Sequence, residues 1–155
     1  MFRFNKDCVD LIHSRLYNEQ FFFPAFVADA RRATCSIIIE SPFIGYRRLS
    51  WLYPILHAAV KRGVRVTINT RDPVCHEGTM KRQAAEGIAV LQDLDITVLY
   101  TGNHHRKLAI IDRQILYEGS LNILSQTDSC EVMRRIESEE LAEEMVKFLK
   151  LNKYL

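Results

Sequence analysis

Residues 104–122 read HHRKLAIIDRQILYEGSLN, and no other stretch of the chain says as much about the fold. The stretch predicts two short strands, and side chains two residues apart in a strand point to the same face. His105 and Lys107 therefore share a face of the first strand, and Ser120 and Asn122 share a face at the end of the second. We expect the two strands to bring an imidazole, an ammonium group, a hydroxyl and an amide into one cluster.

This cluster suits a phosphate anion better than a metal ion. Its members are cations or hydrogen-bond donors, and Gly119 permits a close approach of the backbone. Asp112 has the opposite parity to His105 and does not share the face. We therefore expect Asp112 to anchor its strand, to bond backbone groups or to pair across an interface. No metal-ligand set and no cofactor motif is apparent in the sequence.

The same stretch resembles the HKD motif of the phospholipase D superfamily at every defined position. Six residues have the types and the spacing of that motif, namely His105, Lys107, Asp112, Gly119, Ser120 and Asn122. Only one copy of the motif is present. The chain therefore looks like the short, single-motif nuclease branch of the superfamily, whose members dimerise, rather than the two-motif lipases.

The resemblance implies a two-step displacement at phosphorus. His105 would attack a phosphodiester to form a phosphohistidine, and a second imidazole would protonate the leaving oxygen. In the family that imidazole comes from the other motif copy, which here belongs to a second protomer. The resemblance thus implies a homodimer with a shared active site. Lys107, Ser120 and Asn122 would bind the phosphate and neutralise charge on its non-bridging oxygens.

The resemblance also implies an acidic residue that orients the nucleophilic histidine. In the nuclease branch this residue follows the Gly-Ser-x-Asn turn, and Glu131 lies near the expected position. Asp128 is close enough to compete for the role. For Asp112, a catalytic role is the alternative to the anchoring role given above. His104, next to the expected nucleophile, is predicted to face the other way.

Hydrophobic periodicity outside the motif predicts alternating helices and strands. Helices are predicted over residues 7–18, 21–32 with a start near Pro24, 49–61, 76–92 and 139–151. Further strands are predicted over residues 35–42, 64–69, 95–100 and 130–136. This alternation implies parallel βαβ units, and the closing strands make the sheet mixed. The predicted fold class is α/β, with a mixed, mainly parallel sheet flanked by helices, and the phospholipase D fold has the same order.

Length and charge leave the partner open. A chain of 155 residues can bury a sizeable core, and one domain is expected over residues 1–155, although such domains also occur fused to other modules. The formal net charge of +2 neither requires nor excludes nucleic acid. Arginines that could bind a nucleic-acid backbone are Arg47, Arg48, Arg71, Arg106, Arg134 and Arg135.

The cysteines and the apolar segments predict a cytoplasmic protein. The four cysteines, Cys8, Cys35, Cys75 and Cys130, are widely spaced and include no C-x-x-C pair, which argues against a zinc site and a disulfide scaffold. No secretion signal is evident, and no apolar run is long enough to span a membrane. We therefore expect a reduced cytoplasmic compartment and no stable membrane association.

Three hypotheses for function follow from these patterns. The first is a metal-independent phosphodiesterase that cleaves nucleic acid through a phosphohistidine at a homodimer interface. The second keeps this chemistry but acts on a phospholipid, and the third is a catalytically idle nucleic-acid-binding module of the same fold. Because the motif recognises phosphate and not base edges, the sequence does not separate DNA from RNA, and DNA is the first expectation.

Overall fold

The computed structural model describes residues 13–155, which form a seven-stranded sheet flanked by four α-helices. The strands are β1 (Ser14–Asn18), β2 (Ser36–Glu40), β3 (Arg65–Thr70), β4 (Thr97–Tyr100), β5 (Leu108–Ile111), β6 (Ile115–Gly119) and β7 (Val132–Glu137). The helices are α1 (Glu19–Arg32), α2 (Tyr46–Lys61), α3 (Gly78–Gln92) and α4 (Glu139–Phe148). Short 3-10 turns occupy Pro73–Cys75 and Asn152–Tyr154.

The strand order across the sheet is β1-β7-β6-β5-β2-β3-β4. Pairs β2–β3 and β3–β4 are parallel, and the pairs β1–β7, β7–β6, β6–β5 and β5–β2 are antiparallel. The predicted α/β class with a mixed sheet flanked by helices is confirmed, but the sheet is not mainly parallel. The hairpin of β5 and β6 has a physical reason, because the three-residue turn between them is too short for the crossover that parallel neighbours need.

The N-terminal part of the described chain departs from its predicted helix. Residues 14–18 form the edge strand β1, which pairs antiparallel with β7 from Ser14 opposite Ile136 to Asn18 opposite Val132. The helix predicted over residues 7–18 is therefore wrong from Ser14 onward, and residues 7–12 lie outside the described part. Asn18 then caps α1, since its side-chain oxygen accepts the Phe21 N–H at 3.1 Å. This cap starts the helix at Glu19, well before Pro24.

Two hydrophobic cores lie on opposite faces of the sheet. The larger core packs α1 and α2 against residues such as Ile39, Ala109 and Tyr117. The smaller core packs α4 against Ile38 and Ile110. β2 contributes to both because all five of its residues are buried, as expected for a central strand covered on each face.

The two motif segments meet at one end of the sheet, where the central strands β2 and β6 finish and β5 begins. Because β5 is antiparallel to β2, its first residue, Leu108, lies opposite Glu40, the last residue of β2. Leu108 also lies opposite Glu118, near the end of β6. The loop before β5 and the turn after β6 are therefore neighbours at the carboxyl ends of the parallel strands, where α/β sheets commonly bind ligands.

Candidate active site

His105 and Lys107 lie in the loop before β5, and Asn122 lies in the turn after β6. The Gly119 N–H donates to the Lys107 carbonyl at 3.3 Å and joins the two segments. The structure thus places the motif segments side by side at one end of the sheet. His105 and Lys107 are not in a strand as predicted, because β5 begins only at Leu108.

The side chains of His105, Lys107 and Asn122 differ in their exposure and in the hydrogen bonds that they make. The His105 side chain is exposed and makes no hydrogen bond within residues 13–155. Lys107 is half-buried, and its Nζ donates to the His105 carbonyl at 2.7 Å. The Oδ1 of Asn122 is buried without a partner in the described chain. An unpaired buried polar atom is costly in a folded protein, and native structures retain such atoms mainly where they serve a ligand or the chemistry.

Gly119 is required by the close approach of β7 to β6. A Cβ at this position would lie 2.1 Å from the Val132 carbonyl oxygen and 2.8 Å from the Met133 Sδ. Backbone cannot move away as a flexible side chain can, so no larger residue fits without separating the two strands. The glycine of the motif therefore fixes where the turn that carries Asn122 leaves the sheet.

Ser120 and Glu131 form a pair beside the site. The Ser120 hydroxyl donates to the Glu131 Oε2 and accepts the Val132 N–H at 3.1 Å. Its single proton is thus used, and in this arrangement Ser120 does not donate to a phosphate as expected from the sequence. Glu131 bonds Ser120, and Asp128 accepts a bond from Thr127 at 3.2 Å, so neither carboxylate orients His105 among the described residues.

Asp112 is an anchor at the opposite end of β5 from His105. Its carboxylate accepts the N–H groups of Thr34 (2.9 Å), Cys35 (2.8 Å) and Ser36 (2.9 Å), and it also accepts the Thr34 hydroxyl. Burial raises the pKa of Asp112, but these backbone bonds outweigh it and leave the pKa below its ordinary value. The strand between the two ends spans about 13 Å at about 3.3 Å per residue. The structure thus shows the predicted backbone bonding of Asp112 and places its carboxylate away from His105.

The candidate arginines separate into structural and accessible ones. Arg48 donates to the backbone and side-chain oxygens of Gln126 and lies 3.7 Å above the Phe23 ring. Arg135 pairs with Asp29 on the face of the sheet that α1 covers. These two arginines are half-buried and already paired, which argues against the predicted nucleic-acid contacts. Arg106 and Arg134 line one groove with Lys107, and Arg47 is exposed on α2.

A buried polar cluster next to the site was missed by sequence reasoning. Glu40 is fully buried, and its Oε1 accepts the Asn69 Nδ2 at 2.9 Å while its Oε2 pairs with Arg106. Burial lowers the pKa of His104, whose Nε2 lies 3.2 Å from the Asn69 carbonyl oxygen. The sequence did contain a sign of this cluster, because Glu40 ends the apolar run SIIIE. A charged residue in a buried strand needs a partner, which predicts a polar neighbour there.

The strand order, with a histidine and a lysine before one strand and an asparagine after its hairpin partner, defines a phospholipase D-like α/β domain. The model of the family described as cardiolipin synthase, PLD-like domain, matches residues 27–151. The chain therefore belongs to this PLD-like family of the phospholipase D superfamily.

Solved structures share this fold at low sequence identity. A phospholipase D family member, Nuc from Salmonella typhimurium, has a TM-score of 0.71 and 20% identity over 88% of this chain and 91% of its own. NucT from Helicobacter pylori has a TM-score of 0.69 and 18% identity over 88% and 92%. An archaeal chromatin protein, described as showing a novel mode of DNA binding, has a TM-score of 0.63 and 12% identity over 97% of this chain and 55% of its own. No curated protein matches the sequence significantly.

Two features are absent from residues 13–155. No helix in this range has the length and apolar character needed to cross a membrane. No group of three or more His, Cys, Asp or Glu residues in the range is arranged to hold a metal ion.

Proposed function

We propose that this protein is a metal-independent phosphodiesterase that cleaves nucleic acid through a phosphohistidine at a homodimer interface. The observation that carries the proposal is the exposed His105 imidazole, free of hydrogen bonds among residues 13–155, in the loop that also carries Lys107. An imidazole nitrogen attacks phosphorus, the bond to the leaving oxygen breaks, and an acid protonates that oxygen. Water then cleaves the phosphohistidine and restores His105. Lys107 and Asn122 offset the charge on the non-bridging oxygens.

The buried position of His104 supports a second protomer as the source of the acid. His104 is the imidazole next to His105 in the chain, but it is 2% exposed and its Nε2 is bonded to a backbone carbonyl. It therefore does not reach a substrate bound at His105. A two-fold axis beside His105 would instead bring the same residue of a second copy to the opposite side of the phosphate.

An exposed apolar patch beside the site supports this dimer. We define the α4-side patch as Leu16, Val132 and Phe148, whose exposed fractions are 60%, 49% and 78%. These residues line one open groove of about 660 Å³ together with Lys107. A contiguous exposed apolar patch of this kind marks an interaction site more often than single apolar residues scattered over a surface do. A second copy seated here would cover the patch and face the candidate active site.

Nucleic acid is the substrate class that we favour. Lys107 and Arg134 line one groove, and phosphate contacts dominate nucleic-acid affinity. The DNA binding of the archaeal chromatin protein shows that a protein with a domain of this fold can bind DNA. The description of the matched family and the apolar patch favour a phospholipid as the second candidate.

The deciding experiment compares labelled DNA, labelled RNA and phosphatidylcholine vesicles with the same purified protein in excess EDTA. We expect cleavage of nucleic acid, with DNA first, and no release of choline. Activity lost on chelation and restored by magnesium would contradict the mechanism. Choline release without nucleic-acid cleavage would select the lipid hypothesis, and binding of DNA without any turnover would select the idle module.

A further inference from the structure

A buried polar cluster adjoins the candidate active site without belonging to the reacting groups. We define the Glu40 cluster as Glu40, Asn69, His104 and Arg106. Glu40 is 0% exposed, and its two carboxylate oxygens are bonded to Asn69 and to Arg106. Burying a carboxylate is expensive unless it is paired and hydrogen-bonded, so a fully buried one is retained for a reason that apolar packing does not supply.

His104 is fixed by the same cluster. A carbonyl oxygen only accepts hydrogen bonds, so the 3.2 Å contact with the Asn69 oxygen places the ring proton of His104 on Nε2. The other nitrogen, Nδ1, is buried and has no partner in the described chain. The His104 ring is thus locked in one tautomer and one orientation, facing away from the substrate side.

The main chain on both sides of the His105 imidazole is also held. The Arg71 Nε donates to the His104 carbonyl at 2.8 Å, and the Lys107 Nζ donates to the His105 carbonyl at 2.7 Å. The Arg106 side chain pairs with Glu40. His104 and Arg106, on either side of His105, are therefore fixed to the ends of β3 and β2, while the His105 imidazole remains unbonded among the described residues.

We propose that Glu40 is a positioning residue that holds residues 104–106 so that His105 projects toward the phosphate. This inference rests on the proposed function, since it assumes that His105 is the nucleophile. Glu40 itself is fully buried and contacts no substrate. It acts through Arg106 and Asn69, as the outer residues of an active site commonly orient the reacting ones. A reacting group displaced by about 1 Å can cost about a hundredfold in rate.

The first test is Glu40→Gln, which keeps the shape of the side chain and removes its charge. We expect kcat for nucleic-acid cleavage to fall by about 10- to 100-fold, with KM within about threefold of the wild type, because orientation and not binding is lost. Glu143→Gln is the matched control, since Glu143 also pairs with an arginine, Arg113, but at the far end of the sheet. An unchanged kcat in folded Glu40→Gln would overturn the proposal.

Substitutions of Arg106 are a second test of the positioning role of Glu40. Its side chain is 41% exposed, so Arg106→Gln should fold even if Glu40→Gln does not. We expect Arg106→Gln to lower kcat as Glu40→Gln does, the double variant to be no worse than either single one, and Arg106→Lys to restore most of the activity. If Arg106→Gln instead raises KM with kcat unchanged, Arg106 is a substrate contact and the positioning role is wrong.

NMR relaxation separates this inference from the proposed function. The backbone order parameters of residues 103–107 should fall from about 0.85 in the wild type to about 0.6 in Glu40→Gln, whereas those of β2, β3 and β5 should not change. This measurement requires no turnover. If the wild-type protein cleaves no phosphodiester, the proposed function fails while the order parameters still decide whether Glu40 fixes the loop. Equal order parameters in the two proteins would refute the positioning role.

Discussion

His105 and Asp112 differ at the residue scale in how far their side chains are bonded. His105, the proposed nucleophile, is exposed and unbonded among residues 13–155, whereas Asp112 accepts hydrogen bonds from three successive backbone N–H groups. Strand parity predicted that the two side chains lie on opposite faces of one strand, but the structure separates them by placing His105 before β5 and Asp112 after it. The sequence could not identify the partners of Asp112, because Thr34 to Ser36 lie more than seventy positions away in the chain. Long-range pairing of this kind leaves no local pattern.

Replacing His105 by Ala should abolish turnover and leave the fold intact, because an exposed imidazole contributes little packing. Lys107→Ala and Asn122→Ala should each lower the rate by about 10² to 10³, as expected for loss of one preorganised donor. The measurement is steady-state cleavage of a labelled oligonucleotide, with circular dichroism to verify folding. His57→Ala on α2 is the control and should retain wild-type activity. More than a few per cent of activity in His105→Ala would mean that another residue is the nucleophile.

Replacing Asp112 by Asn should lower stability and spare the active-site chemistry. The amide retains only one acceptor oxygen and turns an N–H group toward backbone donors, so we expect a loss of about 2 to 3 kcal/mol in the free energy of unfolding. Urea denaturation at neutral pH measures this loss. Asp128→Asn should change stability by less than about 0.5 kcal/mol, since Asp128 is exposed and, among residues 13–155, bonds only its neighbour Thr127. An equal effect of the two substitutions would contradict the anchoring role.

Acid should erase the difference between wild type and Asp112→Asn. The pKa of Asp112 in the folded protein lies below its ordinary value, which is about 3.9 in an unfolded chain. The carboxylate therefore stabilises the fold above about pH 4, and this stabilisation is lost as the pH falls through the lower folded pKa. Denaturation curves from pH 7 to pH 3 should show a constant gap that closes below about pH 4. A gap that widens on acidification would show that the sign is wrong.

At the scale of the elements, the sequence predicted the hairpin of β5 and β6 better than the edge strand β1. The hairpin is local, and its strands are apolar runs joined by a polar turn. β1 is a strand because it pairs with β7, more than a hundred residues away, and such pairing overrides a weak helical period. Glu131 was predicted to orient His105, but its carboxylate accepts a hydrogen bond from Ser120, because the residue just before β7 lies beside that hydroxyl. The partner of a surface carboxylate depends on strand register, which spacing alone does not give.

Gly119→Ala should destabilise the junction of β6 and β7. The added Cβ would lie 2.1 Å from the Val132 carbonyl oxygen, so the two strands must separate locally. Overpacking of this kind costs about 1 to 3 kcal/mol, and backbone contact places Gly119 at the upper end. Thermal melts should show a clear drop for Gly119→Ala and almost none for Gly102→Ala, whose Cβ would meet no atom within 4 Å. A wild-type melting temperature for Gly119→Ala would mean that β6 and β7 lie further apart than described.

At the scale of the whole molecule, the α4-side patch is an exposed apolar surface beside the candidate active site, and the proposed dimer accounts for it. Phe148→Glu should place a charge in the α4-side patch and prevent association, so the variant should sediment as a folded monomer without activity. Val74→Glu is the control, because Val74 is also exposed but lies on the 3-10 turn after β3. A fully active Phe148→Glu monomer would show that one chain contains every group needed for cleavage.

Mixed dimers test whether the two protomers share one site. When equal amounts of wild-type and His105→Ala chains exchange at random, about a quarter of the dimers are fully wild type and about half are mixed. A composite site leaves about a quarter of the activity, whereas two independent sites leave about half. The proteins are unfolded together and refolded, exchange is verified by native mass spectrometry, and steady-state cleavage is measured. Activity near half would assign the acid to the same chain as the nucleophile.

The position of Asp112 at the far end of β5 from His105 changes what the motif reports about related sequences. Asp112 and Gly119 maintain the architecture, whereas His105 and Lys107 are the residues that we propose for the chemistry. The contact between the two pairs, from the Gly119 N–H to the Lys107 carbonyl, joins backbone groups and does not depend on the side chain at position 107. A homologue could therefore lose the histidine and the lysine, keep the aspartate and the glycine, and still fold. Among such sequences the Asp and Gly positions mark ancestry, and only the His and Lys positions mark an enzyme.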